Sequence, residues 1–133
     1  MRNLAILGST GSIGSSTLDV VKSNPGMFDI QLLAAKRNHP LLLEQIKLFK
    51  PNFIYLEDES SFISIKDAIK DIDQSLEVIN NEQDLLSLIS SNIIDTVVAA
   101  VVGIAGLNGV EAALSSGKRV LLANKESYVV AGE

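Results

Sequence analysis

Apolar residues along the chain fall into two alternating patterns, short continuous runs and stretches of helical period. Residues 4–7 form the first run, and Ile13, Thr17, Val20 and Val21 then share one face of a following helix. That helix stops at Asn24-Pro25-Gly26, and residues 30–35 read as a second strand ending in small side chains. Pro40 suits a first helical position, Leu42, Ile46 and Phe49 mark a buried face, and Pro51 ends the helix. Residues 53–56 make a third strand, 60–69 carry Phe62, Ile65 and Ile69 at helical spacing, 76–79 form a short strand and 82–89 a further helix. Residues 96–102 are again a strand. Leu107, Val110 and Leu114 stripe a helix that Gly117 caps, and 119–123 form the last strand. Asn124 is then expected to cap a helix that begins at Lys125 and continues toward Glu133, with Glu126 in its first turn.

Strict alternation of strands and helices implies an α/β fold with a doubly wound parallel sheet and right-handed connections. A length of 133 residues suits a single domain with a buried core. An apolar fraction of 47% fits strands covered on both faces. Gly103-x-x-Gly106 echoes Gly8-x-x-Gly11 at the start of the second half. Two related mononucleotide-binding halves would produce that echo, and so would any pair of tight strand-to-helix turns.

The longest apolar run, 96–107, contains two glycines and falls short of the roughly 18 residues that suggest a membrane span. No membrane partner is expected. Only Arg2 and residues 4–7 precede the glycines, which leaves no room for a secretory or transit segment, so a cytoplasmic location is expected. The Met and Phe residues are expected to fill the core. The chain has no cysteine, which excludes disulfides and thiolate chemistry within it. Eleven Lys and Arg against sixteen Asp and Glu give a net charge of -5, a field that repels nucleic acid. A bound phosphate must therefore be held by local features.

One such feature is Gly8-Ser9-Thr10-Gly11-Ser12-Ile13-Gly14, which leaves the first strand and opens the first helix. Glycines let the backbone approach a diphosphate, and the helix start presents unpaired N–H groups with partial positive charge. The amides of Thr10, Gly11, Ser12 and Ile13, with the hydroxyls of Thr10 and Ser12, are the candidate donors. This is a Rossmann-type dinucleotide loop with one extra residue between its first two glycines. A phosphate-loop NTPase would need Lys then Ser or Thr after the last glycine, whereas Gly14 is followed by Ser15-Ser16. A tight turn that binds nothing is the plainer reading, and it leaves the third glycine and the hydroxyl residues without a purpose.

NAD sites usually carry an acidic residue near the end of the second strand. Here the strand continues into Lys36-Arg37-Asn38-His39, two cations and no carboxylate, which favours the 2'-phosphate of NADP(H). A solvated turn closed by Asn38 before Pro40 is the alternative. His39 reads as an ordinary loop histidine, and Glu57-Asp58-Glu59 as solvated carboxylates without a convergent metal-ligand set.

Three segments together match one family: the glycine loop with Ser16-Thr17-Leu18-Asp19-Val20-Val21, then Lys36-Arg37-Asn38, then Leu121-Leu122-Ala123-Asn124-Lys125-Glu126-Ser127. The chain resembles, over essentially its whole length, the N-terminal NADPH-binding domain of the 1-deoxy-D-xylulose 5-phosphate reductoisomerases. The resemblance implies a metal-dependent enzyme, using Mg or Mn, that rearranges a small sugar phosphate and reduces it with NADPH to 2-C-methyl-D-erythritol 4-phosphate. It implies that Thr10, Gly11, Ser12 and Ile13 meet the diphosphate region and that Lys36, Arg37 and Asn38 meet the adenosine end. Asn124 and Glu126 would hold the cofactor toward its nicotinamide side, and Lys125 would reach the substrate. Lys36 stands where many relatives have Gly, adding a cation to the turn.

On the same resemblance the metal ligands, substrate-phosphate site and active-site loop lie beyond Glu133, and the full-length enzyme is a homodimer. The chain alone is then expected to be inactive and to expose apolar surface that the rest would bury. Two other readings remain at this point. One is a different two-domain NADP-dependent reductase, such as a semialdehyde dehydrogenase or a dihydrodipicolinate reductase. The other is a non-catalytic NADP-binding module.

Overall fold

The computed structural model describes residues 2–70, 72, 75–100, 104–123 and 128–131; along 104–107, 122, 123 and 128–131 the backbone alone is described. The chain opens with β1 (Arg2–Leu7), whose last four residues are buried, and turns through the glycine loop into α1 (Ser12–Ser23). There follow β2 (Phe28–Ala35), α2 (His39–Phe49), β3 (Phe53–Leu56), α3 (Glu59–Ile69), β4 (Glu77–Ile79) and α4 (Glu82–Ser90). The second half holds β5 (Thr96–Ala99), α5 (Ile104–Ser115), β6 (Arg119–Ala123) and β7 (Tyr128–Ala131).

Among the described residues seven strands join one sheet in the order β4-β3-β2-β1-β5-β6-β7. Strands β1 to β6 pair in parallel, as expected for a doubly wound α/β fold. The chain builds outward from β1 first in one direction and then in the other. The order therefore reverses between β1 and β5, where such sheets open a ligand crevice beyond their carboxyl ends.

The expected final helix is not formed along residues 128–131. Residues 128–131 are β7, which runs antiparallel to β6 and pairs Ala123 with Tyr128 and Val120 with Ala131. A Tyr-Val-Val run has strong strand propensity, and the open edge of β6 offers it a complete hydrogen-bonding ladder. The segment Asn124-Lys125-Glu126-Ser127 lies outside the described residues, and so does Gly103 of the second glycine pair.

Side-chain alternation divides the core between the two faces of the sheet. On one, Leu4, Ile6, Leu33 and Ile54 meet Leu18 of α1, Leu42 and Ile46 of α2, and Ile65 and Ile69 of α3. On the other, Ala5, Leu7, Leu32 and Val97 meet Leu85, Leu88 and Ile89 of α4 and Ala113 of α5. Ile30 and Leu33 share a face despite a spacing of three because Gln31 is an extra residue in the ladder, where Leu4 pairs with Ile30 and Ala5 with Leu32. Its amide is held by Asn52, which donates to Gln31 Oε1 at 2.7 Å.

The helix ends follow local chemistry. Asn81 caps α4 by accepting from Asp84 N at 2.8 Å. Gly117, at φ 77°, closes α5 as expected, with Lys118 N on Ala113 O at 2.9 Å and Gly117 N on Leu114 O at 3.2 Å. One core assignment does not hold: Met27 is 59% exposed in the turn before β2. The side chains of Phe28, Phe49, Phe53 and Phe62 are half-buried against the two clusters. Beside α1, an apolar cleft of about 270 Å³ is lined by Leu4, Val20, Val21, Phe28, Val98 and Leu121, among others. Among the described residues no helix is long and apolar enough to cross a membrane.

Ile6 is fully buried in the central strand. Ile6→Ala is expected to lower the unfolding free energy by about 2–5 kcal/mol, read from the urea midpoint, through lost burial and an unfilled cavity. A loss below about 1 kcal/mol would contradict this placement of the core.

Candidate functional site at the glycine loop

The site begins where β1 ends. Gly8 takes φ 88°, a conformation that suits glycine, and its N–H and that of Ser9 both donate to Ala34 O of β2, at 2.8 and 3.0 Å. Gly11 N donates to Gly8 O at 3.2 Å, closing a turn, and Ser15 N donates to Gly11 O at 2.8 Å as the first helical bond of α1. The loop is packed tightly across that helix. A Cβ at Gly14 would lie 2.1 Å from Gly8 O and 2.7 Å from Ser9 Cα, so no side chain fits there.

These bonds sort the candidate donors. The amide of Gly11 is engaged within the loop in this structure. Those of Ser12 and Ile13 belong to the first turn of α1, ahead of its first i→i−4 bond. No side chain caps α1 and its first turn has no acidic residue. By contrast α2, α3 and α4 are capped by Asn38, Asp58 and Asn81, and the latter two also carry acidic first turns. The positive end of α1 thus has neither a side-chain cap nor an acidic residue of its own first turn to offset it. Gly11 and Ser12 are exposed, Thr10 and Ile13 half-exposed. The hydroxyls of Ser16 and Thr17 instead turn back onto Ser12 O and Ile13 O, at 3.0 and 2.9 Å.

The basic turn follows directly from β2. Lys36, Arg37 and Asn38 are all exposed, just beyond the strand whose Ala34 carbonyl holds the glycine loop. Asn38 is the N-cap of α2 and accepts from Leu41 N at 3.3 Å, so its side-chain oxygen makes a local bond at the helix start. His39 opens α2, with its N–H on Arg37 O at 2.8 Å.

Two residues that the sequence did not single out for this purpose fix the turn from behind. Asp58 N donates to Lys36 O at 2.9 Å, and Ser61 Oγ donates to Arg37 O, also at 2.9 Å. Asp58, read from sequence as a solvated carboxylate, is the N-cap of α3 and accepts from Ser61 N at 3.0 Å. Hydrogen bonds from the Ser60 hydroxyl first, and then from the Ser61 amide and hydroxyl, lower its pKa below the ordinary aspartate value, with a smaller contribution from the nearby Arg37 charge. A residue of this kind shows in sequence as a capping pattern, Asp58 followed by Ser61 at a helix start. The glycine loop has its own brace in Gln45 of α2, which donates from Nε2 to Ser9 O at 2.8 Å.

Because β6 is parallel to β1, its carboxyl end at Ala123 lies on the same edge of the sheet as the glycine loop. The segment 124–127, which holds the expected contacts Asn124, Lys125 and Glu126, leaves from this edge and is itself outside the described residues. Among the described residues no group of three or more His, Asp or Glu side chains is placed to hold a metal ion.

The family model for 1-deoxy-D-xylulose 5-phosphate reductoisomerase matches residues 4–132. The chain belongs to this family. The reductoisomerase of Saccharophagus degradans is 44% identical over 133 residues, covering all of this chain and 34% of the relative. The chloroplastic enzyme of Mentha piperita is 41% identical over 97% of the chain and 27% of the relative. Among solved structures, a DOX-P reductoisomerase in complex with NADPH, fosmidomycin and magnesium superposes with a TM-score of 0.86 at 37% identity, over 96% of this chain and 31% of that one. The Zymomonas mobilis reductoisomerase in complex with NADPH gives 0.82 at 35% identity, over 95% and 32%. The chain spans about a third of the length of these reductoisomerases and corresponds to their N-terminal domain.

Two expectations test the geometry. Gly14→Ala should force Gly8 and α1 apart and lower stability by about 1–3 kcal/mol, with lost protection of the loop amides in hydrogen exchange; unchanged exchange would contradict the tight crossing. The lowered pKa of Asp58 means that its charge stabilises the fold at neutral pH and that this contribution fades as pH falls through the ordinary aspartate value and then the lowered folded one. Wild type should therefore exceed Asp58→Asn in stability by a margin that shrinks below about pH 4. A margin constant from neutral to acid pH would refute the assignment.

Proposed function

We propose that this chain is the NADPH-binding domain of a 1-deoxy-D-xylulose 5-phosphate reductoisomerase, which converts 1-deoxy-D-xylulose 5-phosphate to 2-C-methyl-D-erythritol 4-phosphate in isoprenoid biosynthesis. The observation that carries the cofactor reading is the uncapped start of α1, free of acidic residues, beside a turn with two exposed cations. The fit is physical. A Cβ at Gly14 would strike the Gly8 carbonyl, so only glycine lets the loop backbone lie this close to the helix start.

In this reading the amides of Thr10, Ser12 and Ile13, with Gly11 supplying the close backbone approach, hold the diphosphate. Lys36 and Arg37 face the adenosine 2'-phosphate, which the guanidinium can engage with two parallel hydrogen bonds. Asn38 shapes that turn by capping α2. Asn124 and Glu126 position the nicotinamide end and Lys125 meets the anionic substrate, all from the ligand edge of the sheet. When bound, NADPH supplies the hydride for the reductive step. The chain's own contribution is to orient the dinucleotide along the crevice between β1 and β5.

We assign the divalent metal, Mg or Mn, to residues of the remaining two thirds of a full-length enzyme, along with the substrate-phosphate site. The 133 residues alone are then inactive, and the complete enzyme is a cytoplasmic homodimer. The test is a fluorescence titration of the chain with both dinucleotides. NADPH should bind at least about tenfold more tightly than NADH, and Lys36→Ala with Arg37→Ala should narrow that gap to within about threefold. Equal binding of the two by the wild type would defeat the 2'-phosphate assignment.

A further inference from the structure

The side chain of Gln45 lies in the interior of α2, between Leu42 and Ile46 on a face otherwise given to the core, and is 5% exposed. A polar amide there needs a reason, since an apolar residue of similar size would avoid the cost of burying it. The structure supplies one. Gln45 Nε2 donates to the carbonyl of Ser9, 36 positions earlier and wholly buried, at 2.8 Å. Without that donor the Ser9 carbonyl would lose this bond in the interior beneath the glycine loop. Gln45 Oε1 and Ser9 Oγ are both buried without a hydrogen-bond partner. The amide is thus retained for one bond even though its other end is unsatisfied.

We propose that Gln45 is a positioning residue that mechanically couples the two halves of the dinucleotide site, the glycine loop and the Lys36-Arg37 turn. This rests on the NADPH reading above. Helix α2 is the strut: its first turn is closed by Asn38, immediately after the two cations, and Gln45 stands two turns further along and grips the loop. The same loop is tied to β2 through Ala34 O, two residues before Lys36. Movement of the turn at one end of α2 is therefore carried to the loop at its second contact, and the two ends of the cofactor are recognised as a unit.

The test uses Gln45→Met, which keeps the length and removes the donor, in the 133-residue chain. Without ligand, the amides of residues 8–15 should lose about tenfold in hydrogen-exchange protection while those of β2 and β3 are unchanged. NADPH affinity should fall about tenfold, and in a double-mutant cycle with Arg37→Ala the combined loss should be smaller than the product of the single losses by about threefold or more. Gln45→Glu serves as the second variant and separates the donor from mere packing. Its carboxylate faces the Ser9 carbonyl at about pH 8 and loosens the loop, whereas at about pH 5 the buried carboxyl is protonated, donates again and restores protection. The charged neighbours along that cleft, Asp19 and Lys22 of α1 and Glu44 of α2, are present in both variants and in wild type. Unchanged loop exchange in both variants, or additive losses in the cycle, overturns the role of Gln45 even if NADPH binds normally. Failure of the wild-type chain to bind NADPH overturns the cofactor reading, and the coupling with it, while an exchange effect in Gln45→Met would leave the grip on Ser9 standing.

Discussion

The architecture of this chain depends on one close crossing, that of the Gly8 carbonyl over Gly14 in the first turn of α1. β1 is the central strand, and the chain must leave it, turn sharply and lay α1 back on the sheet within a few residues. The crossing is possible because position 14 has no side chain. It fixes where the helix begins and aims its first amides beyond the carboxyl end of the sheet. The other features of the site are placed relative to it, through Ala34 of β2 on one side and Gln45 of α2 on the other.

Electrostatics act locally here against an unfavourable background. The chain carries a net charge of -5, yet the region around β1 and β2 combines an uncapped helix start with two exposed cations. A carboxylate beside that turn, Asp58, accepts from the Ser60 hydroxyl and the Ser61 amide, shares the Ser61 hydroxyl proton with Arg37 O, and serves the start of α3. Its backbone N–H meanwhile braces the Lys36 carbonyl. A negative residue beside the proposed 2'-phosphate turn is tolerable when its charge is already committed to hydrogen bonds.

Most of the wound sheet was legible because its signals are local. The strands read as apolar runs, the helices as stripes closed by Asn24-Pro25-Gly26, Pro51 and Gly117, and the loop as three glycines between a strand and a helix. What was not legible depends on partners distant in sequence. Residues 128–131 became a strand because β6 offered them an edge, which no periodicity within four residues reveals. The extra residue at Gln31 shows only in the register with β1. Met27 looked apolar enough for the core and sits in a turn. In the site, the glycine loop and the Lys36-Arg37 turn stood out by residue type and spacing, and Asp58 with Ser61 carries a capping pattern, whereas Gln45 acts through the backbone carbonyl of a distant segment and carries no motif of its own.

The reversal at β7 has a consequence for traffic along the chain. In the parallel part of the sheet every crossover helix returns the polypeptide to the amino edge, so that each strand arrives at the crevice from below. After Ala123 the chain reaches that edge once more and then runs back down as β7, so that Ala131 pairs with Val120 near the start of β6. The winding is thereby terminated. A chain continuing from Ala131 sets out from the edge opposite Gly8 and must travel the height of the sheet again before any of its groups reaches the crevice.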